Sequence, residues 1–354
     1  MSNTINKGNY YTIETQERIE AFQNARAFGN EKAYFEYRNR WENAPSDGIF
    51  GEYPINIDFD ISTVCNLQCP YCYTVSGDYK KRIKREFMEF SLFKKVIDEI
   101  ADRVPAIRVV ARGEPTLNPD FIKFINYAKK KGVLEVGAIT NLSTMTPEFF
   151  EKLMLAGLDW FTISFDGLDE DYERNRYPLK FNESYEKLQK IKEIKERYDI
   201  PKPAVTVQAL WSSIQDYPDS FYTRLAQVCD SISFNAQVDF DRVDEFIDCS
   251  DFICAHIYQR LLILPSGKVF PCCGTGLSDF SDEYYVGDVN NQFIYEIWNG
   301  PTISKIRELH KSGDYKKLKM CQRCFLTKEM YEEKYVVDGR EFLVKSYLKS
   351  KVEK

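Results

Sequence analysis

The chain has 354 residues, 44% apolar and 29% charged, with a net charge of −6. This is an ordinary globular composition with material for a sizeable core and roughly two domains, and its acidic balance argues against general nucleic-acid binding. No apolar run approaches the roughly 20 residues of a membrane helix and the N-terminus has no apolar signal core, so the chain reads as cytoplasmic, with no membrane partner.

Residues 1–52 are polar and aromatic, with helix-like stretches around 14–28 and 31–42 that end near Pro45 and Gly48. They read as an N-terminal helical arm. From residue 53, strand-like runs alternate with helix-like ones: 55–61 then 93–102, 106–111 then 121–131, 135–140 then 148–156, 160–165 then 184–198, and 204–210 then 220–228, with a last run at 232–235. Thr146 before Pro147 gives an N-cap followed by proline at the first helical position, and Gly157 closes that helix. Such alternation predicts parallel strands covered by crossover helices. Six units are too few for a closed eight-fold barrel. The expected fold is therefore α/β, a partial (β/α)6 TIM-like barrel over residues 53–240. Beyond about 240 the rhythm stops. Runs at 261–264 and 268–270 flank Pro265 and Gly267 and read as a β-hairpin. A helix-like segment at 302–311 and a charged C-terminal helix complete a smaller domain, 241–354.

Ten cysteines and two histidines stand in a chain with no secretion signal. A reducing compartment favours metal or redox roles for such thiols over disulfides. Cys65, Cys69 and Cys72 form a C-x3-C-x2-C run in the loop after the first strand. Functional groups of such folds gather at that end of the strands. Three thiolates are one short of the four that a cubane cluster has irons for, which leaves one iron open. A zinc site would need a fourth protein ligand. Cys254, Cys272, Cys321 and Cys324 supply four thiolates, which suit zinc or an iron–sulfur cluster equally on chemistry alone. Cys229 stands in an apolar helical run and reads as core. Cys249 reads either as a loop cysteine or as a hydrogen-atom donor to a carbon radical in an epimerisation.

On these residues the chain resembles the radical S-adenosylmethionine (radical SAM) superfamily over about residues 53–240. The likeness rests on the three-cysteine run with an aromatic residue, Tyr71, before its last member. It implies that Cys65, Cys69 and Cys72 hold a 4Fe-4S cluster, with S-adenosylmethionine chelating the open iron. Reductive cleavage of that cofactor gives a 5′-deoxyadenosyl radical, which abstracts hydrogen from the substrate while the protein positions the reactants. Gly113, Glu114 and Pro115, after the second strand, resemble the element that meets the methionyl amino group: Glu114 can accept from an ammonium, and Gly113 lets backbone approach closely. The family often has glycine where Ala111 or Arg112 stands. Asn141 ends the third strand. Ser164 and Asp166 end the fourth and suit ribose or carboxylate contacts, and Gln208 on the fifth can reach ribose. Tyr172 and Arg176 resemble a Tyr-x3-Arg element whose guanidinium pairs with the methionyl carboxylate.

The second cysteine set, with Gly267 five residues before Cys272, resembles the Twitch module, the short form of the SPASM domain. It implies one auxiliary 4Fe-4S cluster on Cys254, Cys272, Cys321 and Cys324, and the Gly-x4-Cys spacing selects Cys272 over the adjoining Cys273. No cysteine follows Cys324, which disfavours a second auxiliary cluster. A basic run at residues 80–85 either steers an acidic reductant such as flavodoxin or ferredoxin, binds a phosphorylated or nucleotide-linked substrate, or is a solvated charge run. The expected function is hydrogen abstraction from a small polar substrate, a sugar, aminoglycoside or nucleotide-linked sugar, leading to oxidation or epimerisation. Two alternatives stand beside it: a peptide-modifying enzyme of the same superfamily, and a zinc-stabilised binding protein without catalysis.

Overall fold

The computed structural model describes residues 4–6, 10–110, 112–236, 243–249, 252–272 and 285–347. Cys273 and Ala111 lie outside them.

The parallel strands are β3 (Asn56–Asp60), β4 (Ala106–Val110), β5 (Glu135–Thr140), β6 (Trp160–Ser164), β7 (Ala204–Leu210) and β8 (Ser231–Asn235), ordered by sequence. The helices between them include α3 (Gly77–Arg82), α4 (Phe90–Ile100), α5 (Phe121–Lys130), α6 (Pro147–Leu155), α7 (Asp169–Asn175), α8 (Phe181–Tyr198) and α9 (Pro218–Leu225). This is the mostly parallel α/β partial barrel expected.

The two faces of the sheet differ sharply. Register aligns Asp58, Arg108, Gly137 and Trp160 across four strands, and Thr162, Thr206 and Ser231 across three. Side chains alternate along a strand, so partnered residues share a face. One face carries these polar groups. The other carries Ile57, Phe59, Ile107, Val109, Phe161, Ile163, Val205 and Val207, all buried. Helices cover that second face: the Phe59 ring meets Phe93 of α4 at 4.7 Å. The polar face therefore lines the concave interior.

Both sides of this sheet extend beyond the six expected strands. On one side β10 (Arg260–Ile263) pairs in parallel with β3, and β11 (Lys268–Phe270) and β12 (Gly287–Asp288) follow it antiparallel. The hairpin expected at 261–270 forms, but as part of the barrel sheet. On the other side β2 (Tyr10–Thr12) pairs antiparallel with β8. The short strand β1 (Thr4–Asn6) runs beside β9 (Phe252–Cys254), with Asn6 opposite Cys254. The N-terminal arm is thus helices α1 (Gln16–Ala27) and α2 (Glu31–Asp47) plus two strands woven into other regions.

Those helices close the N-terminal ends of the barrel strands. Arg26 of α1 makes two hydrogen bonds to Glu135, the first residue of β5, at 2.8 and 2.9 Å. The Tyr37 hydroxyl also donates to Glu135, and the Arg26 guanidinium sits 5.4 Å over the Trp160 ring. The remaining helices are α10 (His256–Gln259), α11 (Ile294–Trp298), α12 (Pro301–Lys311) and α13 (Lys319–Gln322).

The charged segment expected as a C-terminal helix is instead a hairpin, β13 (Tyr331–Val337) and β14 (Arg340–Ser346). Its loop is Asp338 and Gly339, both at positive φ (51° and 70°). An Asp-Gly pair in that conformation matches strand twist and fixes a two-residue turn. The alternating charges that look like helical pairs bridge the two strands: Glu332 pairs with Lys345 at 2.6 Å and Lys334 with Glu341 at 2.7 Å. Tyr335 and Phe342 dock on Trp211, with centroids at 4.7 and 5.7 Å.

Candidate active site

The three-cysteine loop leaves β3 at the C-terminal end of the barrel. Its entry is braced by backbone: Gly113 N donates to Ser62 O at 2.9 Å and Glu114 N to Val64 O at 2.8 Å. A Cβ on Gly113 would overlap the backbone of Val64, the residue before Cys65. Gly113 is therefore required by packing against the cysteine loop itself. Within the loop, Cys72 N donates to Cys69 O at 3.0 Å, and Gln68 N donates to Tyr177 O at 2.9 Å. All three cysteines are free and half-buried.

Polar residues from the end of β5 and the end of α7 converge on these sulfurs. Asn141, after β5, places Nδ2 3.9 Å from Cys65 Sγ. Arg176 places Nη1 3.8 Å from Cys69 Sγ and pairs through Nη2 with Asp166 Oδ2 at 2.7 Å. Asp166 Oδ1 in turn accepts from Leu210 N at 2.7 Å. Burial raises the Cys65 and Cys69 thiols, the positive charge of Arg176 only partly offsetting this at Cys69. Burial would lower the Arg176 pKa, but the Asp166 and Cys69 charges outweigh it and the group stays cationic.

The expected cofactor contacts are placed unequally. Glu114 is buried and accepts from Thr116 Oγ1 and Thr140 Oγ1 at 2.6 Å each, and from Asn141 N at 2.7 Å. It ties the ends of β4 and β5 together, and burial raises its pKa. Pro115 is buried and opens the turn after it. Ser164 and Gln208 stand opposite each other on the concave face. Gln208 Oε1 accepts from Asn235 Nδ2 at 3.1 Å. Tyr172 is fully buried, its hydroxyl donating to Ser184 Oγ at 2.8 Å. Tyr71 is 40% exposed beside Cys72.

Beneath the loop lies a charged layer that sequence reading did not single out. Asp60 pairs with Arg112 Nε at 3.4 Å, and one step lower Asp58 takes Arg108 Nε at 2.6 Å and Arg260 Nη1 at 3.5 Å. Burial raises Asp60 to about 6 despite Arg112. The neighbouring arginines outweigh burial at Asp58 and lower it to about 2. The sequence signal was charge on neighbouring strands, Asp58 with Asp60 on one and Arg108 on the next.

In the second set, Cys254 and Cys321 are buried, and Cys272 and Cys324 are half-buried. Burial raises the Cys321 thiol strongly, and the charges of Cys254, Cys272 and Cys324 add to it. The other three sulfurs thus lie near enough to act on Cys321. Among the described residues no three His, Cys, Asp or Glu side chains are already gathered tightly enough to hold one metal ion. Cys229 donates Sγ–H to Leu225 O at 3.1 Å and packs against the core, with burial raising it to about 12. Cys249 is tied to the second region: its N donates to Thr327 O at 2.8 Å, and its O accepts from Tyr315 Oη at 3.4 Å.

A half-buried trio of thiols beside the Asn141 amide and the Arg176 guanidinium, together with a second set of four thiols, has the character of an iron–sulfur protein with a barrel reaction centre. The Radical SAM superfamily model matches residues 59–200, and the SPASM iron-sulfur cluster-binding domain matches residues 254–325. Together they span more than half the chain, which belongs to the radical SAM superfamily and carries a SPASM-type region. These two domains imply a 4Fe-4S cluster with S-adenosylmethionine in the first and auxiliary iron–sulfur in the second.

Among curated proteins, the chain is 30% identical over 122 residues to AdoMet-dependent heme synthase of Methanosarcina barkeri, 34% of each chain. It is 29% identical over 192 residues to PqqA peptide cyclase of Bradyrhizobium diazoefficiens, 54% of this chain and 46% of the relative. The matches thus span under half of these relatives' lengths. Among solved structures, BtrN in complex with AdoMet and 2-DOIA aligns over 78% of this chain and 93% of its own, at 18% identity and TM-score 0.51. AdoMet-bound anSMEcpe aligns over 78% and 92%, at 15% identity and TM-score 0.55. At such identities the likeness is one of fold.

The residues present fit the implied groups. The open thiol trio suits a cluster with one free iron. Arg176 Nε, buried and without a hydrogen-bond partner among the described residues, is a spare donor beside it. Cys254, Cys272 and Cys324 lie near enough to Cys321 to influence its thiol, so the second set can supply four thiolates to one iron–sulfur group.

Proposed function

We propose that this radical SAM enzyme dehydrogenates a small polyhydroxyl or amino-sugar substrate within the barrel. The observation that carries this reading is the polar concave wall. Asp58, Arg108, Thr162, Thr206, Gln208 and Ser233 give the interior a polar, hydrogen-bonding character in place of an apolar lining. Such groups suit hydroxyl and amino substituents, and a site built to hydrogen-bond a substrate rejects analogues that lack the partner.

Cys65, Cys69 and Cys72 would hold the reactive cluster, and Cys254, Cys272, Cys321 and Cys324 an auxiliary one. Bound S-adenosylmethionine supplies, on one-electron reduction, the radical that removes a hydrogen atom from carbon. Dehydrogenation then requires one electron and one proton to leave the substrate, giving a carbonyl. Cys254, Cys272, Cys321 and Cys324 would hold the group that could accept that electron. Asn141, Asp166 and Arg176 orient the cofactor, and Glu114 acts by fixing the strand ends around it. Epimerisation would instead return a hydrogen atom, for which Cys249 is the donor on hand.

Relatives named peptide cyclase and maturase favour a second reading, a peptide substrate. Against it, the N-terminal arm is consumed in bracing the barrel, with β2 on β8 and α1 on Glu135. The test is anaerobic reconstitution with dithionite, S-adenosylmethionine and a panel of sugars, aminoglycosides and short peptides. A sugar product lighter by two hydrogens, formed with 5′-deoxyadenosine, is expected. An isomeric product carrying solvent deuterium, lost in Cys249→Ala, would replace oxidation by epimerisation. A modified peptide would replace the substrate class.

A further inference from the structure

We propose that His310 donates a hydrogen bond to the Cys321 sulfur and so holds up the reduction potential of the auxiliary cluster. The proposal rests on the assignment of Cys321 as a ligand of that cluster.

His310 Nε2 lies 3.5 Å from Cys321 Sγ, within reach of an N–H···S bond. The imidazole is 2% exposed and held on two sides. It stacks on Tyr315 at 5.5 Å and 15°, and meets Phe252 at 6.1 Å and 60°. Its helix is anchored as well. Arg307, three residues earlier on α12, donates to Ile257 O at 3.1 Å and Trp298 O at 2.9 Å. The ring has little freedom to turn away from the sulfur.

The other ring nitrogen fixes the direction of the bond. Nδ1 is buried and has no hydrogen-bond partner among the described residues. A hydrogen placed there would be a buried donor without an acceptor, which costs more than a bare lone pair. Placed on Nε2, it meets the sulfur. A thiolate bound to iron offers only lone pairs, so donation by the imidazole is the one bond available. Donors to ligand sulfurs withdraw charge from the cluster and favour its reduced state, more so away from water. That is what an acceptor of a substrate electron needs.

The test uses the reconstituted two-cluster protein and redox titration followed by electron paramagnetic resonance. His310→Phe keeps the ring and removes the donor, and His310→Gln keeps an N–H. The expected result is an auxiliary midpoint lowered in His310→Phe by about 59 mV, a tenfold shift for one electron, with His310→Gln closer to wild type. Iron stays at about eight per chain in both. The first cluster keeps its potential. Equal midpoints in all three proteins would overturn the proposal, as would loss of four irons from both variants, which would make His310 a ligand. A reading that needs no variant is pulsed resonance on wild-type protein with 15N-histidine. Weak nitrogen coupling to the auxiliary cluster is expected, and no coupling or ligand-strength coupling overturns the proposal. A Cys321→Ala protein that still holds about eight irons would instead remove the assignment on which the proposal rests.

Discussion

The two ends of the barrel are built for different purposes. At the N-terminal end, Arg26, Tyr37 and Glu135 satisfy one another in a closed, buried set beneath α1 and α2. At the C-terminal end, half-buried thiols face polar groups that retain donor capacity, such as Nε of Arg176 at the end of α7. One end spends its polar groups on stability and the other keeps some in reserve for ligands. In barrels of this kind activity belongs to the C-terminal face. Substitutions at the two ends should therefore separate stability from catalysis.

The largest expected effect is at the C-terminal end. Cys65→Ala should abolish 5′-deoxyadenosine formation, measured by liquid chromatography, while the thermal midpoint of the protein without clusters stays near wild type. Cys321→Ala should keep 5′-deoxyadenosine formation and lose substrate oxidation, which separates the two cysteine sets. Arg26→Gln should do the reverse of Cys65→Ala. Breaking a buried pair by removing one partner costs about 3–5 kcal/mol, measured by denaturant unfolding, with activity per bound cluster retained. This cost depends on pH with a defined sign. Burial alone would raise Glu135, but Arg26 and the hydrogen bonds outweigh it and hold the carboxyl below its ordinary value of 4.5. The stabilisation is therefore complete at neutral pH and fades as pH falls below about 4.5. The gap between wild type and Arg26→Gln should narrow only there.

Gly113→Ala lies where the two properties meet. The added methyl collides with Val64, so a loss of about 1–3 kcal/mol and incomplete iron loading are expected together. The smallest effect is on the basic run beside the cysteine loop. Lys80 and Lys81 are exposed on α3. Charge reversal there should slow turnover driven by an acidic flavodoxin at low salt and leave dithionite-driven turnover unchanged. Equal rates at low salt would make the run a solvated surface.

The barrel was legible because both periodicities are strong. Apolar residues alternate along β3 to β8, and Thr146 with Pro147 marks a helix start that is observed, Thr146 Oγ1 accepting from Phe149 N. The cysteine sets were legible as spacing. What escaped was long-range. Residues 331–346 carry charges at spacings that suit a helix as well as a hairpin, and Asp338-Gly339 was the overlooked signal. No local pattern joins β10 to β3 across some 200 positions, or β2 to β8. His310 meets Cys321 only because α12 and α13 fold back on each other. Glu114 was expected at a ligand, and its four hydrogen bonds to Thr116, Thr140 and Asn141 depend on the ends of β4 and β5 meeting.

The central claim is that two thiol sets hold two clusters with separate tasks. The most direct test is iron and zinc analysis of anaerobically reconstituted wild-type protein beside a variant with Cys65, Cys69 and Cys72 all changed to Ala, each assayed for 5′-deoxyadenosine after reduction. The account predicts about eight irons falling to about four, no zinc, and 5′-deoxyadenosine from the wild type alone. Zinc at the second set, or wild-type protein that holds about four irons and leaves S-adenosylmethionine intact, would contradict it.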